Sequence, residues 1–206
     1  MDFLLRPKCG ILHLDGQTVC FLPKEALLME VSQPTSLPPK VFGTPLQQRV
    51  YETLALLDMP FLRVDNSPAI TMEDCQLIDE RLQVQTVKTL FLCNRQQTQY
   101  YLFVTPGDKP FRTRDFSHAI GVSRLSFAPR EQLLPYLGTE LGATTLFSVL
   151  LDSSKDVPLF FDRQALQTEW YGCTDGTTTS YLKVRTDQLM DRFLPHAGRA
   201  LQVVDV

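Results

Sequence analysis

Two strongly apolar segments separated by a short polar turn constrain the fold of this chain more than any other feature. Residues 84–93 and 99–105 are rich in valine, threonine, leucine and aromatic side chains, and residues 94–98 between them read Asn-Arg-Gln-Gln-Thr. Segments of this composition are typical of β-strands, and a short polar connection favours an antiparallel hairpin. We therefore expect a sheet built around this pair of strands.

Helices and further strands are predicted on both sides of the hairpin. Leu46, Val50, Leu54 and Leu57 recur at helical spacing behind Pro45, and Pro60 ends that helix. A second helix is expected to start near residue 71, where threonine and aspartate have the spacing of a capping box, and to reach residue 82. Other predicted strands cover residues 61–64, 124–127, 146–151, 159–161 and 179–184, and other predicted helices cover residues 115–120, 130–137 and 186–194. This order indicates an α/β or mixed α+β domain in which helices surround a mixed β-sheet.

The first 43 residues differ in character from the rest. An Asp-Gly pair at residues 15–16 lies between two apolar runs and predicts a tight hairpin, because it tolerates the positive φ angles of a primed turn. Four prolines crowd residues 34–45, where they remove backbone donors and favour an extended chain. We therefore predict an N-terminal hairpin and proline-rich linker in residues 1–43, and the main domain in residues 44–206.

Composition and charge exclude several classes of protein. The chain has 206 residues, 44% of them hydrophobic, and a formal charge of -3, which is the balance of a globular domain and argues against binding DNA or bulk nucleic acid. No apolar run approaches the ~20 residues of a membrane-spanning helix, and no signal-peptide pattern is present. We expect a cytoplasmic protein without a membrane partner. Basic residues are nevertheless concentrated in residues 109–130, where five of them stand against Asp115 alone.

Most motifs of catalytic and cofactor chemistry are missing from the sequence. It has no glycine-rich phosphate loop, no dinucleotide-binding turn and no nucleophile elbow, and its three histidines lack neighbours at metal-ligand spacing. Neither a metal nor an organic cofactor is therefore expected. The five cysteines include no C-x-x-C pair, which favours reduced thiols. Cys93 and Cys173 stay open as nucleophiles of a small-molecule esterase or thiol hydrolase, although a buried free thiol is the more usual role.

One lysine interrupts an apolar strand. Lys88 lies within the first strand of the predicted hairpin, where an ammonium group must be solvated, paired or used in function. A place at a sheet edge, with the amine reaching water, is the structural alternative. Residues 142–145 and 172–179 combine glycine with small hydroxyl side chains, which suits either ordinary turns or a pocket that a ligand approaches closely.

Several motifs taken together resemble the YbaK-like family of prolyl-tRNA editing proteins. The motifs are Lys-Thr-Leu-Phe-Leu-Cys-Asn-Arg from residue 88, Tyr-Tyr-Leu-Phe-Val from 100, Pro-Gly-Asp-Lys-Pro-Phe from 106, Ile-Gly-Val-Ser-Arg-Leu-Ser-Phe-Ala from 120, and Leu-Gly at 137 followed by Gly-Ala-Thr-Thr from 142. They follow the order seen in the family, and the resemblance spans roughly residues 44–195. It implies a mixed β-sheet surrounded by helices, in agreement with the pattern above.

The resemblance implies a free-standing aminoacyl-tRNA deacylase. Such an enzyme hydrolyses tRNA(Pro) carrying the wrong amino acid, most often alanine in the branch that this chain resembles, because a synthetase pocket for proline cannot strongly exclude a smaller side chain. The implied partners are mischarged tRNA(Pro) and prolyl-tRNA synthetase. Lys88 stands where the family has its functional lysine, and its charge would hold the aminoacyl ester and stabilise the oxyanion formed when water attacks.

The resemblance also implies which residues bind the substrate and where this chain departs from the family. The glycine-led substrate loop corresponds to Gly142, Ala143, Thr144, Thr145, Leu146 and Phe147. Leu146 replaces the usual proline, and the hypothesis is that its side chain fills part of the pocket. Thr174 and Thr178 stand at the family's histidine and asparagine positions. We expect an altered pocket; the alternative is a non-catalytic tRNA-binding or synthetase-associated module that has kept the fold.

Four basic residues are candidates for contacting tRNA phosphates near the 3′ end. They all come from the basic segment and are Lys109, Arg112, Arg114 and Arg124. For Arg124 a structural ion pair is an equally open alternative, because arginine serves both uses.

Overall fold

The computed structural model describes the backbone of residues 10–14 and 17–21, and residues 29–206 in full. The chain divides into two compact units, Met1–Glu30 and Val31–Val206. In the first unit, β1 (Gly10–Leu14) and β2 (Gln17–Phe21) pair antiparallel. The strands of the predicted N-terminal hairpin are therefore present, and its Asp-Gly turn lies outside the described residues.

The second unit interleaves strands and helices. Its strands are β3 (Phe61–Asp65), β4 (Val87–Cys93), β5 (Tyr100–Pro106), β6 (Ser126–Phe127), β7 (Leu159–Asp162), β8 (Trp170–Thr174), β9 (Ser180–Arg185) and β10 (Gln202–Val204). Its α-helices are α1 (Pro45–Leu56), α2 (Cys75–Leu82), α3 (Thr113–Ala119), α4 (Leu133–Leu137), α5 (Thr186–Gln188) and α6 (Leu194–His196), with a π-helical turn at Leu189–Phe193. Short 3-10 helices cover Arg130–Gln132, Leu146–Leu150, Asp152–Ser154 and Arg163–Leu166.

Two sheets form the framework of this unit. A five-stranded mixed sheet has the order β10-β7-β5-β4-β6, in which β7 is parallel to β5 and β10 while β4 is antiparallel to β5 and β6. A three-stranded antiparallel sheet has the order β3-β9-β8. A parallel bridge between Thr86 and Gly172 joins the two sheets just before β4. The predicted class, helices around a mixed β-sheet, is confirmed.

The predicted hairpin is the centre of the larger sheet. β4 and β5 pair along their whole length, from Val87 opposite Pro106 to Cys93 opposite Tyr100. Because side chains alternate across a strand, each strand contributes to two cores. Phe91 belongs to the main core on one face, whereas Leu92 on the other face packs in a smaller core with α3. Lys88 shares the face of Leu92, and this places its side chain on the α3 side of the sheet.

Local sequence signals explain where the first two helices begin. The Thr44 hydroxyl accepts the N–H of Gln47 at 3.0 Å and caps α1 directly before Pro45. The Thr71 hydroxyl accepts the N–H of Asp74 at 3.3 Å, and the Asp74 carboxylate accepts the N–H of Thr71 at 2.9 Å. These reciprocal bonds are those of a capping box. They close a turn, and the regular helix α2 begins only after this turn, at residue 75 rather than near residue 71.

Several features of the second half differ from the sequence analysis, which listed no strand at β8. Residues 146–151 were expected to form a strand, but a 3-10 helix covers Leu146–Leu150, because Thr145 Oγ1 accepts the N–H of Phe147 and caps a helical turn. No sequence pattern predicts β10, which is formed by pairing parallel to β7. The stability of such a short strand comes from its partner rather than from its own sequence.

The proline-rich segment pairs with β3. The N–H and carbonyl groups of Thr35 bond with those of Arg63 at 2.9 and 2.8 Å, and Arg63 Nε donates to the carbonyl of Leu37 at 2.7 Å. Residues 31–43 thus belong to the same compact unit as the sheets, while the division after residue 43 stays a prediction. In the described part of the chain, no helix has the length and hydropathy needed to cross a membrane.

Candidate active site

A cavity of about 360 Å³ opens beside β4. Its walls come from the segment that leads into α2, from β4 itself, from the segment between β6 and α4, and from the smaller sheet. Four predicted site residues line it: Lys88, Gly142, Thr144 and Thr174. The fold therefore brings predicted site residues that are up to 86 positions apart in the sequence to a single pocket.

The Lys88 ammonium is held by backbone carbonyls at the cavity. Its Nζ donates to the carbonyl of Gly107 at 3.2 Å and to the carbonyl of Lys109. An ammonium has three N–H groups, and the third has no acceptor within residues 29–206. Burial lowers the pKa of Lys88, and the charge of Asp108 opposes that shift. The site thus presents an oriented cationic donor of the kind that an oxyanion requires.

The turn after β5 can approach Lys88 because residue 107 is a glycine. A Cβ atom there would lie 2.3 Å from the Thr86 carbonyl oxygen and 2.5 Å from Met72 Cε. Only a residue without a side chain permits this packing, and the packing places the Gly107 carbonyl within reach of the ammonium. The turn is therefore part of the site, although it contributes only backbone atoms.

Lys109, one of the predicted phosphate contacts, is used inside the fold. Its ammonium pairs with the Asp162 carboxylate at 2.7 Å, and that carboxylate is 1% exposed. The same carboxylate accepts the hydroxyl proton of Thr105 at 3.0 Å. A buried carboxylate left without its cation is strongly destabilising, so a phosphate contact by Lys109 would have to compete with this ion pair.

The predicted substrate loop divides between the cavity and the core. Gly142 adopts a φ of +86°, and a Cβ there would lie 3.0 Å from the backbone of Ile70 on the facing segment, so glycine allows the two walls to approach. Thr144 also lines the cavity. The remaining loop residues are buried: Ala143, Thr145, Leu146 and Phe147. Leu146 packs in the main core and is not a cavity residue, so its side chain does not fill the pocket as hypothesised.

Threonine side chains and carbonyls connect this loop to the smaller sheet. The Thr145 hydroxyl donates to the carbonyl of Thr174 at 2.7 Å, and the Thr174 hydroxyl donates to the carbonyl of Thr177. Thr178 is half-buried outside the cavity, where its carbonyl accepts the N–H of Ala69 at 2.8 Å. The two predicted threonines therefore have different positions: Thr174 faces the pocket, and Thr178 holds the segment that forms one of its walls.

A buried carboxylate beside Thr174 was missed by the sequence analysis. Asp175 is fully buried, and its Oδ2 accepts from Gln47 Nε2 at 2.8 Å and from the Tyr51 hydroxyl at 3.0 Å. Its Oδ1 accepts from the N–H and hydroxyl of Thr177 at 3.2 and 2.8 Å. Burial raises the pKa of Asp175, and these hydrogen bonds oppose the shift. No basic side chain within residues 29–206 forms an ion pair with it.

The described thiols give no support to a cysteine hydrolase. Cys93 and Cys173 are buried outside the cavity, and burial raises the pKa of Cys173 strongly, which disfavours the thiolate that a nucleophile needs. Cys75 was not predicted as a site residue but does line the cavity, where its Sγ donates to the Tyr181 hydroxyl at 3.5 Å. In the described ranges, no group of three histidine, cysteine or acidic side chains has the arrangement of a metal site.

The predicted arginines lie on or next to α3. Arg112, Arg114 and Arg124 are exposed, and Arg114 and Arg124 line a shared depression with His118. Within the range 29–206, none of the three arginines pairs with a carboxylate. The alternative of a structural ion pair for Arg124 is therefore not observed in this part of the chain. The three guanidinium groups are accessible to a phosphate.

Comparison with known proteins identifies the family. Residues 67–192, more than half of the chain, match the aminoacyl-tRNA editing domain. The prolyl-tRNA editing protein ProX of Acetoanaerobium sticklandii is 32% identical over 117 residues, which are 57% of this chain and 71% of that protein.

Two solved structures share the fold. One is the crystal structure of a candidate trans-editing enzyme for prolyl tRNA synthetase, with a TM-score of 0.58 and 16% identity over 79% of this chain and 98% of that chain. The other is a crystal structure of a hypothetical protein, with a TM-score of 0.58 and 17% identity over 76% and 98%. On the domain match and the identity to a curated relative, this chain belongs to the aminoacyl-tRNA editing domain family and is an aminoacyl-tRNA deacylase.

Proposed function

We propose that this protein removes the wrong amino acid from tRNA(Pro), with Ala-tRNA(Pro) as its substrate. The observation that carries the proposal is the Lys88 ammonium, which is held by two carbonyls at the cavity with one N–H unused. The identity to a prolyl-tRNA editing protein supports tRNA(Pro) as the nucleic acid. We infer further that the protein acts in the cytoplasm and meets prolyl-tRNA synthetase, the source of the mischarged tRNA.

In the proposed reaction, water attacks the carbonyl carbon of the aminoacyl ester. The carbonyl oxygen becomes an oxyanion, and the free N–H of Lys88 donates to it. The C–O bond to the terminal ribose then breaks, the ribose oxygen takes a proton that derives from the water, and the free amino acid leaves. A lysine whose ammonium donates to two carbonyls is placed to stabilise charge rather than to remove a proton from water.

The walls next to Lys88 suit a small acyl group. Gly142 brings its loop against the segment of Ile70, and Thr144 and Thr174 add short side chains with hydroxyl groups to the lining. The close approach of the Gly142 loop to the Ile70 segment is the feature that we propose limits the room for side chains larger than that of alanine. The proposal is tested by the rates at which Ala-tRNA(Pro) and Pro-tRNA(Pro) lose their amino acid: faster loss of alanine supports it, and equal rates contradict it.

We expect Gly107→Ala to lower kcat by about 10²-fold, because a misplacement of about 1 Å in a catalytic group has effects of this size. The added methyl group would meet the Thr86 carbonyl oxygen at 2.3 Å, so the turn must move and carry with it the carbonyls that hold Lys88. The measurement is single-turnover deacylation. Gly43→Ala is the matched control, because its Cβ would meet only a side-chain atom of Gln47 at 3.7 Å. Unchanged kcat in Gly107→Ala would show that the turn does not position the lysine.

The arginines of α3 and its following loop are proposed to bind tRNA phosphates. We expect Arg114→Glu combined with Arg124→Glu to weaken tRNA(Pro) binding at least tenfold at low salt, and to lower the slope of log Kd against log salt by about 1.5 for two lost phosphate contacts. Filter binding at several salt concentrations measures both quantities. Arg49→Glu, an exposed substitution on α1, is the control, because it makes the same change of charge at one position away from α3. Affinity and slope equal to wild type would remove these arginines from the interface.

A further inference from the structure

The mouth of the cavity is formed by exposed apolar side chains. Ile70, Phe127 and Leu141 all line the cavity, and these residues are 58%, 58% and 52% exposed. Large apolar groups that gather around an opening in this way usually mark a surface that a ligand covers. Lys88 lines the same cavity, so a ligand portion at the mouth would belong to the same molecule as the reacting ester.

Phe127 is the aromatic member of this rim and lies on the edge strand of the larger sheet. In β6 it stands opposite Leu92 of β4, and the N–H of Ala128 donates to the carbonyl of Phe91 at 2.9 Å. Side chains of paired residues point to the same face, so Phe127 and Lys88 lie on one face of the sheet. Leu92 and Lys88 are four positions apart, which corresponds to about 13 Å along the strand. Phe111 packs against the ring at a centroid distance of 6.0 Å and an interplanar angle of 66°.

An arginine follows the aromatic residue on the same wall. Arg130 is exposed, lines the cavity, and forms no ion pair with a carboxylate of residues 29–206. Glu131 and Glu140 lie on its other side, in a neighbouring depression. An exposed aromatic ring beside an unpaired guanidinium matches the two parts of a nucleotide, because bases stack on aromatic rings and phosphates pair with arginine.

We propose that Phe127 and Arg130 bind the 3′-terminal nucleotide of the tRNA, with the adenine stacked on Phe127 and its phosphate against Arg130. This inference rests on the proposed function, since it assigns the nucleotide that carries the ester. It gives the apolar rim an occupant whose π-face fits the ring and whose negative charge complements Arg130 and Lys88. The helix α3 packs on the same side of the sheet as Phe127, and the exposed Arg112, Arg114 and Arg124 lie on this helix or next to it, which extends the basic surface away from the mouth.

Binding of an acceptor-stem RNA hairpin that cannot be hydrolysed tests the proposal. One hairpin ends in adenosine with alanine joined by an amide at its 3′ position, and a second is identical except that the terminal adenine base is missing. For the wild type we expect the second hairpin to bind about 5- to 150-fold more weakly. In Phe127→Ala both hairpins should bind with the same, weak affinity, because the group that recognises the base is gone. Phe127→Tyr, which keeps the ring, should behave like the wild type.

The control and the contradicting results are defined by the same measurement. Leu56→Ala removes an exposed apolar side chain from α1, outside the cavity, and should retain full discrimination between the hairpins. Equal binding of both hairpins to the wild type, or discrimination retained in Phe127→Ala, would overturn the assignment and leave the rim to another occupant such as a protein. Because binding of an amide is measured, a wild type that discriminates but hydrolyses no ester would refute the proposed function and leave this inference standing.

Discussion

Lys88→Ala is expected to hydrolyse mischarged tRNA(Pro) at least about 10²-fold more slowly than the wild type, because loss of one oxyanion donor costs 10²- to 10³-fold in comparable sites. The variant removes the only side-chain ammonium that lines the cavity within residues 29–206. Single-turnover rates with saturating enzyme measure the effect on the chemical step, and thermal unfolding shows whether the fold is intact.

Two further variants test whether the effect is specific to Lys88 and whether a positive charge alone is sufficient at this position. Lys155→Ala removes an exposed lysine from another part of the surface and should leave the rate unchanged. Lys88→Arg keeps the positive charge, but its planar fork does not reproduce the geometry of an ammonium held by two carbonyls, so we expect only partial activity. Full activity in Lys88→Ala would mean that the transition state is stabilised elsewhere in the cavity.

Asp175→Ala is expected to lower the free energy of unfolding by about 3 kcal/mol at neutral pH. The substitution removes the acceptor of four hydrogen bonds from Gln47, Tyr51 and Thr177, and buried donors that lose a charged acceptor cost about 1–3 kcal/mol each before partial relaxation. Urea unfolding measures the effect. Thr179→Ala, an exposed change in the same loop, is the control, and an equally small loss in both variants would contradict this account of Asp175.

The pH dependence of that difference has a defined sign. Burial raises the pKa of Asp175 above its ordinary value of 3.8, so the folded protein binds this proton more tightly than the unfolded chain does. The cost of the buried charge is therefore present above the folded pKa. It is relieved as the pH falls through that pKa, and the relief is complete below the unfolded value. The wild type should gain stability relative to Asp175→Ala over this acidic window, and a difference that shrinks there would contradict the assignment.

The parts of the fold that local sequence signals determine were predictable. The β4–β5 hairpin follows from two apolar segments around a polar turn, and α1 follows from its Thr44 cap and Pro45. That the Lys88 ammonium would have polar partners was also predictable, since a charge within an apolar strand must be solvated, paired or used in function, and two backbone carbonyls accept from it. Residues 146–151 were not, because a short apolar run suits a strand or a helical turn equally, and the Thr145 hydroxyl decided between them.

The rest of the site depends on contacts between distant segments. Cys75 and Tyr181 meet in the cavity although they are 106 residues apart, and Asp175 receives Gln47 from 128 residues away. The sequence alone marks Asp175 only as part of a turn-like run with glycine and threonine. For the predicted substrate loop, the resemblance indicated only a segment, and the backbone conformation decides that Gly142 and Thr144 face the cavity while Leu146 packs in the core.

The most direct test of the account is hydrolysis of tRNA(Pro) charged separately with alanine, cysteine, serine and proline, by the wild type and by Lys88→Ala at equal catalytic concentration. The account predicts that the wild type removes alanine rapidly and spares proline, and that Lys88→Ala removes neither. Preference for cysteine or serine would keep the editing reaction and change its substrate. If the wild type hydrolyses none of the four esters while still binding the tRNA, the chain is a non-catalytic tRNA-binding module and the central claim is wrong.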